Sequence, residues 1–312
     1  MNNSTTLLIF MGADNNLDSN AMENLNSIRK ASLYSNMDII VQIDRWRFVD
    51  KKESFRYHFK NGKENIVELG ELNSGDPNIL KAFIEESAKQ YPSDRVIVII
   101  WSHGTGIDDR DLYNENPTRE RLFVKNQEIE EIAVSFDDTS KDFIDNIELK
   151  KALETNVNID ILGFDACLMG MFEIAYQLRE NIDIMVASQY IEPPSGWNYE
   201  DILENIKLED KSTTMADKIV KYYIDKYEQS MSEVTQSALN TKNIETIAKL
   251  IDKFILSNET SGWNMQDANG VSIYFPTRKS PFKETFELYE KLDFSINYPN
   301  WVELIRWYYK NI

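Results

Sequence analysis

The stretch VIVIIWSHGTG, residues 96–106, decides how this sequence is interpreted. Its first six residues are apolar and mostly β-branched, which is typical of a strand that is buried on both faces. The stretch then reaches His103, one of only two histidines in the chain, and Gly104 follows it. Because ligands bind beyond the carboxyl ends of the strands in an open α/β sheet, this histidine indicates a functional site.

A second stretch has the same arrangement. IDILGFDACLMGMFEIAYQL, residues 159–178, begins as an apolar strand, reaches the only cysteine of the chain, Cys167, and continues with helical spacing. We predict that Cys167 opens this helix, where free N–H groups and the helix dipole favour a thiolate. If the two strands are neighbours, His103 and Cys167 meet at the carboxyl edge of the sheet.

The rest of the chain predicts an α/β fold in one domain, residues 1–312. Apolar strands that alternate with helices indicate a mostly parallel sheet covered on both faces. An Asn-Gly turn at residues 61–62 predicts a hairpin, in which we interpret His58 as structural. A polar stretch at about 107–130 predicts a long exposed loop. The C-terminal part, about 200–312, predicts a mainly helical elaboration with short strands in VTQSAL and VSIYFP.

Composition excludes several classes of function. The net charge of −18, from 34 basic and 52 acidic residues, argues against binding to nucleic acid or to an anionic membrane surface. One cysteine excludes an internal disulfide and a cysteine-cluster zinc site. The N-terminus has no basic region followed by a long apolar run, so we expect a cytoplasmic protein, or a secreted one if a leader has been removed. The sequence does not indicate an oligomeric state.

A cysteine and a histidine at neighbouring strand ends are suited to covalent acyl transfer. The imidazole of His103 titrates near neutrality and can activate the thiol of Cys167. The backbone N–H groups of Gly104 and Cys167 form a candidate oxyanion hole. Ser102 or backbone groups are candidates for orienting the imidazole, and the sequence shows no obvious third member of a triad.

The two motifs resemble those of a known family. SHGTG with His103 and FDACLMGMFEIAYQL with Cys167 are similar to the catalytic motifs of the clostripain family of cysteine peptidases. Further stretches resemble the family in the same order, namely MGADNNLD, VQIDR, FDDTSKDFI, VASQYIEPPSGWNY and GVSIYFP. The resemblance implies a caspase-like three-layer αβα sandwich and a cysteine endopeptidase that acts on protein or peptide substrates.

The resemblance also implies a specificity residue and a maturation step. Asp165, two residues before the cysteine, is expected to line the S1 pocket and to select Arg or Lys at P1, because a carboxylate pairs with either cation. Family members are commonly zymogens that cut themselves between the two motifs. This interval contains three candidate cleavage residues, of which the first two are preferred: Arg119, Arg121 and Lys125.

We predict no required metal, although some members of the family depend on calcium. Acidic side chains offer the hard oxygen ligands that calcium prefers, but without EF-hand spacing. The candidates are Asp108, Asp109, Asp111, Asp137 and Asp138.

Two alternatives stay open. A non-catalytic module with the same fold would bind basic peptide segments through Asp165 and the acidic surface. A thiol hydrolase would act on a small amide rather than inside a peptide.

Overall fold

The computed structural model describes residues 4–46, 53–106, 134–228, 230, 234–257, 272–273 and 282–311. The loop predicted at about 107–130 lies outside this part of the chain, with its candidate cleavage residues and three of the candidate calcium ligands. The strand predicted in VSIYFP lies outside it too, except for residues 272–273.

The centre of the molecule is an eight-stranded sheet. Its strands are β1 (Thr5–Ala13), β2 (Asp38–Arg45), β3 (Ser54–Lys60), β4 (Lys63–Gly70), β5 (Arg95–Trp101), β8 (Ile159–Asp165), β9 (Ile182–Ala187) and β10 (Ser237–Asn240). Their order is β10-β9-β8-β5-β1-β2-β3-β4, in which the five strands from β9 to β2 are parallel. Two short strands, β6 (Val134–Asp137) and β7 (Asp142–Ile144), pair separately beside it.

Helices cover both faces of the sheet. They are α1 (Asp18–Ala31), α2 (Pro77–Gln90), α3 (Asn146–Leu153), α4 (Phe172–Leu178), α5 (Tyr199–Asn205), α6 (Ser212–Tyr227), α7 (Ile244–Ser257), α8 (Phe282–Tyr289), α9 (Asp293–Asn297) and α10 (Pro299–Asn311). One apolar layer contains α1, α5 and α6, and the other contains the remaining helices. The predicted three-layer α/β sandwich is therefore confirmed.

Strand β5 shows why the apolar runs form the middle of this sandwich. Val96, Val98 and Ile100 pack in one apolar layer, whereas Ile97 and Ile99 pack in the other. Alternate side chains of a strand point to opposite faces, so a strand between two layers of helices must be apolar at every position. Burial of each such side chain stabilises the fold by about 2 kcal/mol.

The outer part of the sheet also follows local sequence signals. Asn61 and Gly62 have φ angles of 49° and 72°, which a two-residue turn between β3 and β4 requires. His58 lies in this hairpin, 2.9 Å from a carboxylate oxygen of Asp38, and its ring packs on Tyr91. These contacts agree with a structural histidine. In the described part of the chain, the helices are too short or too polar to span a membrane.

Candidate active site

Strands β5 and β8 bring the two sequence motifs together. They pair in parallel, with Trp101 opposite Asp165, so that His103 and Cys167 each follow this pair by two residues. Both side chains line a cavity of about 200 Å³ at the carboxyl edge of the sheet. The structure therefore agrees with the expectation that the two motifs are adjacent.

Gly104 allows this close approach. A Cβ atom at this position would lie 2.6 Å from the backbone oxygen of Cys167 and 2.8 Å from the Cβ of Ala166. Both distances are shorter than van der Waals contact, so a side chain would push the two strand ends apart. The two backbones that were predicted to form an oxyanion hole are consequently in direct contact.

The prediction that Cys167 opens a helix is wrong. Helix α4 begins at Phe172, and between the two residues the chain forms a turn in which Leu168 has a φ angle of 63°. The N–H of Leu168 donates to the oxygen of Tyr190, and that of Gly170 donates to the oxygen of Ser188. These hydrogen bonds tie residues 168–170 to the segment after β9, so the helix begins only at Phe172. Cys167 therefore lies too far from the first helical turn for the helix dipole to act on its thiol.

Burial acts on the Cys167 thiol more strongly than its hydrogen bonds do. Desolvation raises the pKa of the thiol, and the charge of Asp165 raises it further. The N–H of Glu192 donates to Sγ at 3.2 Å and, with the N–H of Cys167 itself, opposes this shift. The net pKa is raised, so the thiol is protonated at neutral pH and a base is required to activate it.

The imidazole of His103 is oriented by a residue that the sequence analysis missed. Its Nε2 lies 2.7 Å from Oδ1 of Asn16, in the turn between β1 and α1. An amide oxygen only accepts, so Nε2 donates to it in this arrangement and Nδ1 is the basic nitrogen. Ser102, a predicted candidate for this task, instead donates its hydroxyl to the oxygen of Gly12 at 2.7 Å.

Asp165 lies in the wall of the same cavity and is almost fully buried. It accepts hydrogen bonds from the N–H of Trp197 at 3.1 Å and from the hydroxyl of Tyr199 at 2.8 Å. Burial nevertheless raises the pKa of its carboxyl group. The backbone of Gly196 lies against it, because a Cβ there would be 2.8 Å from either carboxylate oxygen.

A second acidic residue, Glu192, lines the cavity and was also missed by the sequence analysis. Its carboxyl group is buried, and its pKa is raised well above the usual range by burial and then by the charges of Asp165 and Cys167. Two buried carboxyl groups in one small cavity repel each other when both are ionised, so a cation that enters the cavity would be stabilised by them.

A lysine behind the cavity fixes the segment that forms its wall. Nζ of Lys226, on α6, donates to the backbone oxygens of Ser195, Gly196 and Trp197 at 2.8, 2.9 and 3.1 Å. The hydroxyl of Tyr227 donates to the oxygen of Gly196 as well. The cavity wall is thus held by α6, in the part of the chain that was predicted as an elaboration.

The sequence profile described as the Clostripain family matches residues 9–312. Clostripain from Hathewaya histolytica is 24% identical, over 95% of this chain and 67% of its own length.

Two solved structures are similar in fold. An inactive zymogen C11 protease from Parabacteroides distasonis has a TM-score of 0.70 at 18% identity, over 94% of this chain and 97% of that protein. A secreted C11 cysteine protease from Bacteroides thetaiotaomicron, in complex with an irreversible peptide inhibitor, has a TM-score of 0.63 at 21% identity, over 81% of this chain and 70% of that one.

Proposed function

Because the chain belongs to the clostripain family and is a cysteine peptidase, we propose that it is an endopeptidase that cleaves after Arg or Lys. His103 and Cys167 are the proposed catalytic pair. The observation that carries this proposal is the single cavity that both residues share with two buried carboxyl groups, those of Asp165 and Glu192.

The proposed reaction proceeds through a thioester. His103 takes the proton of the Cys167 thiol, and the sulfur attacks the scissile carbonyl carbon. The negative charge that develops on the carbonyl oxygen is stabilised by the N–H groups of Gly104 and Cys167. His103 then gives its proton to the leaving amine, so that the peptide C–N bond breaks and the thioester remains. A water molecule, activated by the same imidazole, hydrolyses the thioester and restores the thiol.

The preference for a basic P1 side chain rests on charge. The guanidinium group of arginine offers several donors to a pair of carboxylates, and the ammonium group of lysine offers a compact charge. An acidic P1 side chain would bring a further carboxyl group against Asp165 and Glu192, where burial already disfavours negative charge. Both carboxyl groups are buried, where charge interactions are stronger than in water, so we expect the charge of P1 to matter more than its apolar contacts.

Hydrolysis of fluorogenic peptides tests this proposal. We expect turnover of substrates with Arg or Lys at P1 and none with Asp, and we expect cleavage inside peptides longer than dipeptides. The cleavage state of the chain is recorded in parallel, because an uncut zymogen would be silent with every substrate. Silence with a chain that has been cut, or faster turnover of the Asp substrate, would contradict the proposal.

We further propose that the chain activates itself by cutting between its two motifs, after Arg119 or Arg121, with Lys125 as the third candidate. Long incubation of the wild-type protein is expected to give two fragments whose masses identify the bond, whereas Cys167→Ala stays intact. The P. distasonis relative, described as an inactive zymogen, supports such a step. Mass spectrometry that finds only the intact chain, in a preparation active on peptides, would rule it out.

Asn16 is proposed as a positioning residue for His103. Asn16→Ala is expected to lower kcat about tenfold with little change in KM, since the imidazole loses the acceptor that fixes its orientation. Asn16→Asp keeps an acceptor and is expected to retain most of the activity, with a shifted pH profile. Asn26→Ala, on the exposed side of α1, is the control. Equal losses for Asn16→Ala and Asn16→Asp would show that the hydrogen bond to Nε2 is not what matters.

A further inference from the structure

Three buried aspartates converge outside the cavity that holds His103 and Cys167. Asp14 follows β1, Asp44 lies near the end of β2, and Asp137 ends β6. One carboxylate oxygen of each lies within 4.8 Å of the others. The three residues are exposed to 0%, 4% and 0% of their surface.

Such a cluster is costly without a positive charge. Burial removes the water that would stabilise each carboxylate, and three like charges at this distance repel one another. The described structure places no lysine or arginine in a hydrogen bond or ion pair with Asp44.

Two further groups point into the cluster. Oδ1 of Asp44 accepts from the hydroxyl of Ser54 at 2.7 Å, but Oδ2 is buried and has no hydrogen-bond partner in the described part of the chain. The hydroxyl of Ser74 is also buried, faces Asp44 and makes no hydrogen bond of normal length. The backbone N–H groups of Ser74 and Ser140 donate to the two carboxylate oxygens of Asp137 at 3.0 and 2.6 Å, which fixes that carboxylate beside the other two.

We propose that Asp14, Asp44 and Asp137 bind one hard divalent cation, and that Ca²⁺ fits the site best. All ligand atoms of the cluster are carboxylate oxygens, which calcium prefers, and there is no imidazole or thiolate to favour a transition metal. Opposite ligands of one calcium ion are about 4.8 Å apart, twice the usual Ca–O distance, so one ion reaches all three with small shifts. Of the pair Asp137 and Asp138 suggested by the sequence, only Asp137 belongs to the cluster.

The site is connected to the imidazole through the backbone. Asp14 lies two residues before Asn16, whose amide contacts His103. The N–H of Asp138 donates to the backbone oxygen of Asp14 at 2.7 Å, which joins the turn after β1 to the end of β6. A cation that holds Asp14 and Asp137 therefore fixes the turn that orients His103, without taking part in the reaction.

Calorimetric titration of Ca²⁺ into the full chain tests the proposal. All variants carry Cys167→Ala so that no cleavage occurs during the measurement. We expect one ion per chain, with a Kd below about 1 mM. A hundredfold excess over Kd is expected to raise Tm by roughly 4 °C.

Substitutions identify the ligands. Asp44→Asn is expected to weaken Ca²⁺ binding at least tenfold, while Tm without the ion stays equal or rises because one repelling charge has gone. Asp14→Asn is the second variant if Asp44→Asn does not fold, and Asp94→Asn, an exposed residue at the opposite end of the sheet, is the control. Absence of binding, or unchanged binding in a folded Asp44→Asn or Asp14→Asn, would overturn the site. Binding of Mg²⁺ but not of Ca²⁺ would overturn the choice of ion.

Discussion

Cys167→Ala is expected to lower kcat/KM on Arg and Lys substrates by at least about 10⁴-fold, because no other group in the cavity can form the thioester. The substitution removes one sulfur atom and leaves the backbone N–H groups of Gly104 and Cys167 in place, so the fold should be preserved. Residual activity above about 1% of the wild type would assign the nucleophile to another residue.

The two histidines of the chain provide a matched comparison for this result. His103→Ala is expected to cause a loss of similar size, since a thiol whose pKa is raised by burial needs a base. His58→Gln, in the hairpin far from the cavity, is the control and is expected to retain activity. Each variant is first cut in trans by tagged wild-type protein, which is then removed. A variant without activity then lacks a catalytic group and is not merely an uncut zymogen.

Asp165→Asn is expected to lower kcat/KM for Arg and Lys substrates about 100-fold, because a buried carboxylate that pairs with a cation contributes several kcal/mol. The asparagine has the same shape, and its oxygen can still accept from Trp197 and Tyr199. Glu192→Gln is expected to have a smaller effect in the same direction. The matched substrate has citrulline in place of arginine, which keeps the shape of P1 and removes its charge.

The citrulline substrate separates recognition of charge from damage to the site. Turnover of this substrate should change little in Asp165→Asn, and an equal fall for both substrates would mean that Asp165 only maintains the structure.

The ratio of kcat/KM for the arginine and citrulline substrates is expected to depend on pH. Because the pKa values of Asp165 and Glu192 are raised, lowering the pH neutralises them earlier than ordinary carboxyl groups. The advantage of arginine over citrulline should therefore shrink as the pH falls.

The sequence was sufficient to predict the parts of the fold that depend on local patterns. The apolar runs of β5 and β8 predicted buried strands because a strand between two helical layers needs apolar side chains at every position. The Asn-Gly turn predicted the hairpin for an equally local reason. The sequence did not predict that β5 and β8 are neighbours, and their adjacency had to be assumed. Strand order depends on contacts between segments that are distant in the sequence.

The errors at the site have the same cause. Helical spacing after Cys167 suggested an immediate helix, but pairing of Leu168 and Gly170 with the segment after β9 delays its start to Phe172. Asn16 was missed because it lies 87 residues before its partner His103 in a polar turn that reads as an ordinary helix start. Its only signal was its position after β1, whose carboxyl end lies beside that of β5.

Glu192 was missed for a related reason. Between Ile191 and two prolines, it resembles a solvent-exposed turn residue, but in the structure it is 7% exposed and lines the cavity beside Asp165. Lys226, which holds this segment by three backbone oxygens, is more than 25 residues away on α6. The sequence thus predicted one of the two acidic groups of the cavity, through the resemblance of its motif.

Strands β5 and β8 are hydrogen-bonded neighbours, although residues 107–133 lie between them in the sequence. A cut in that interval would divide the sheet between two polypeptides. Both polypeptides would still contribute side chains to each of the two apolar layers. The mature enzyme would then be a heterodimer of its own fragments, and its subunit interface would be the former core. The two subunits are expected to elute together in size-exclusion chromatography even at nanomolar concentration. They should separate only in denaturant, where subunit dissociation and unfolding become one event.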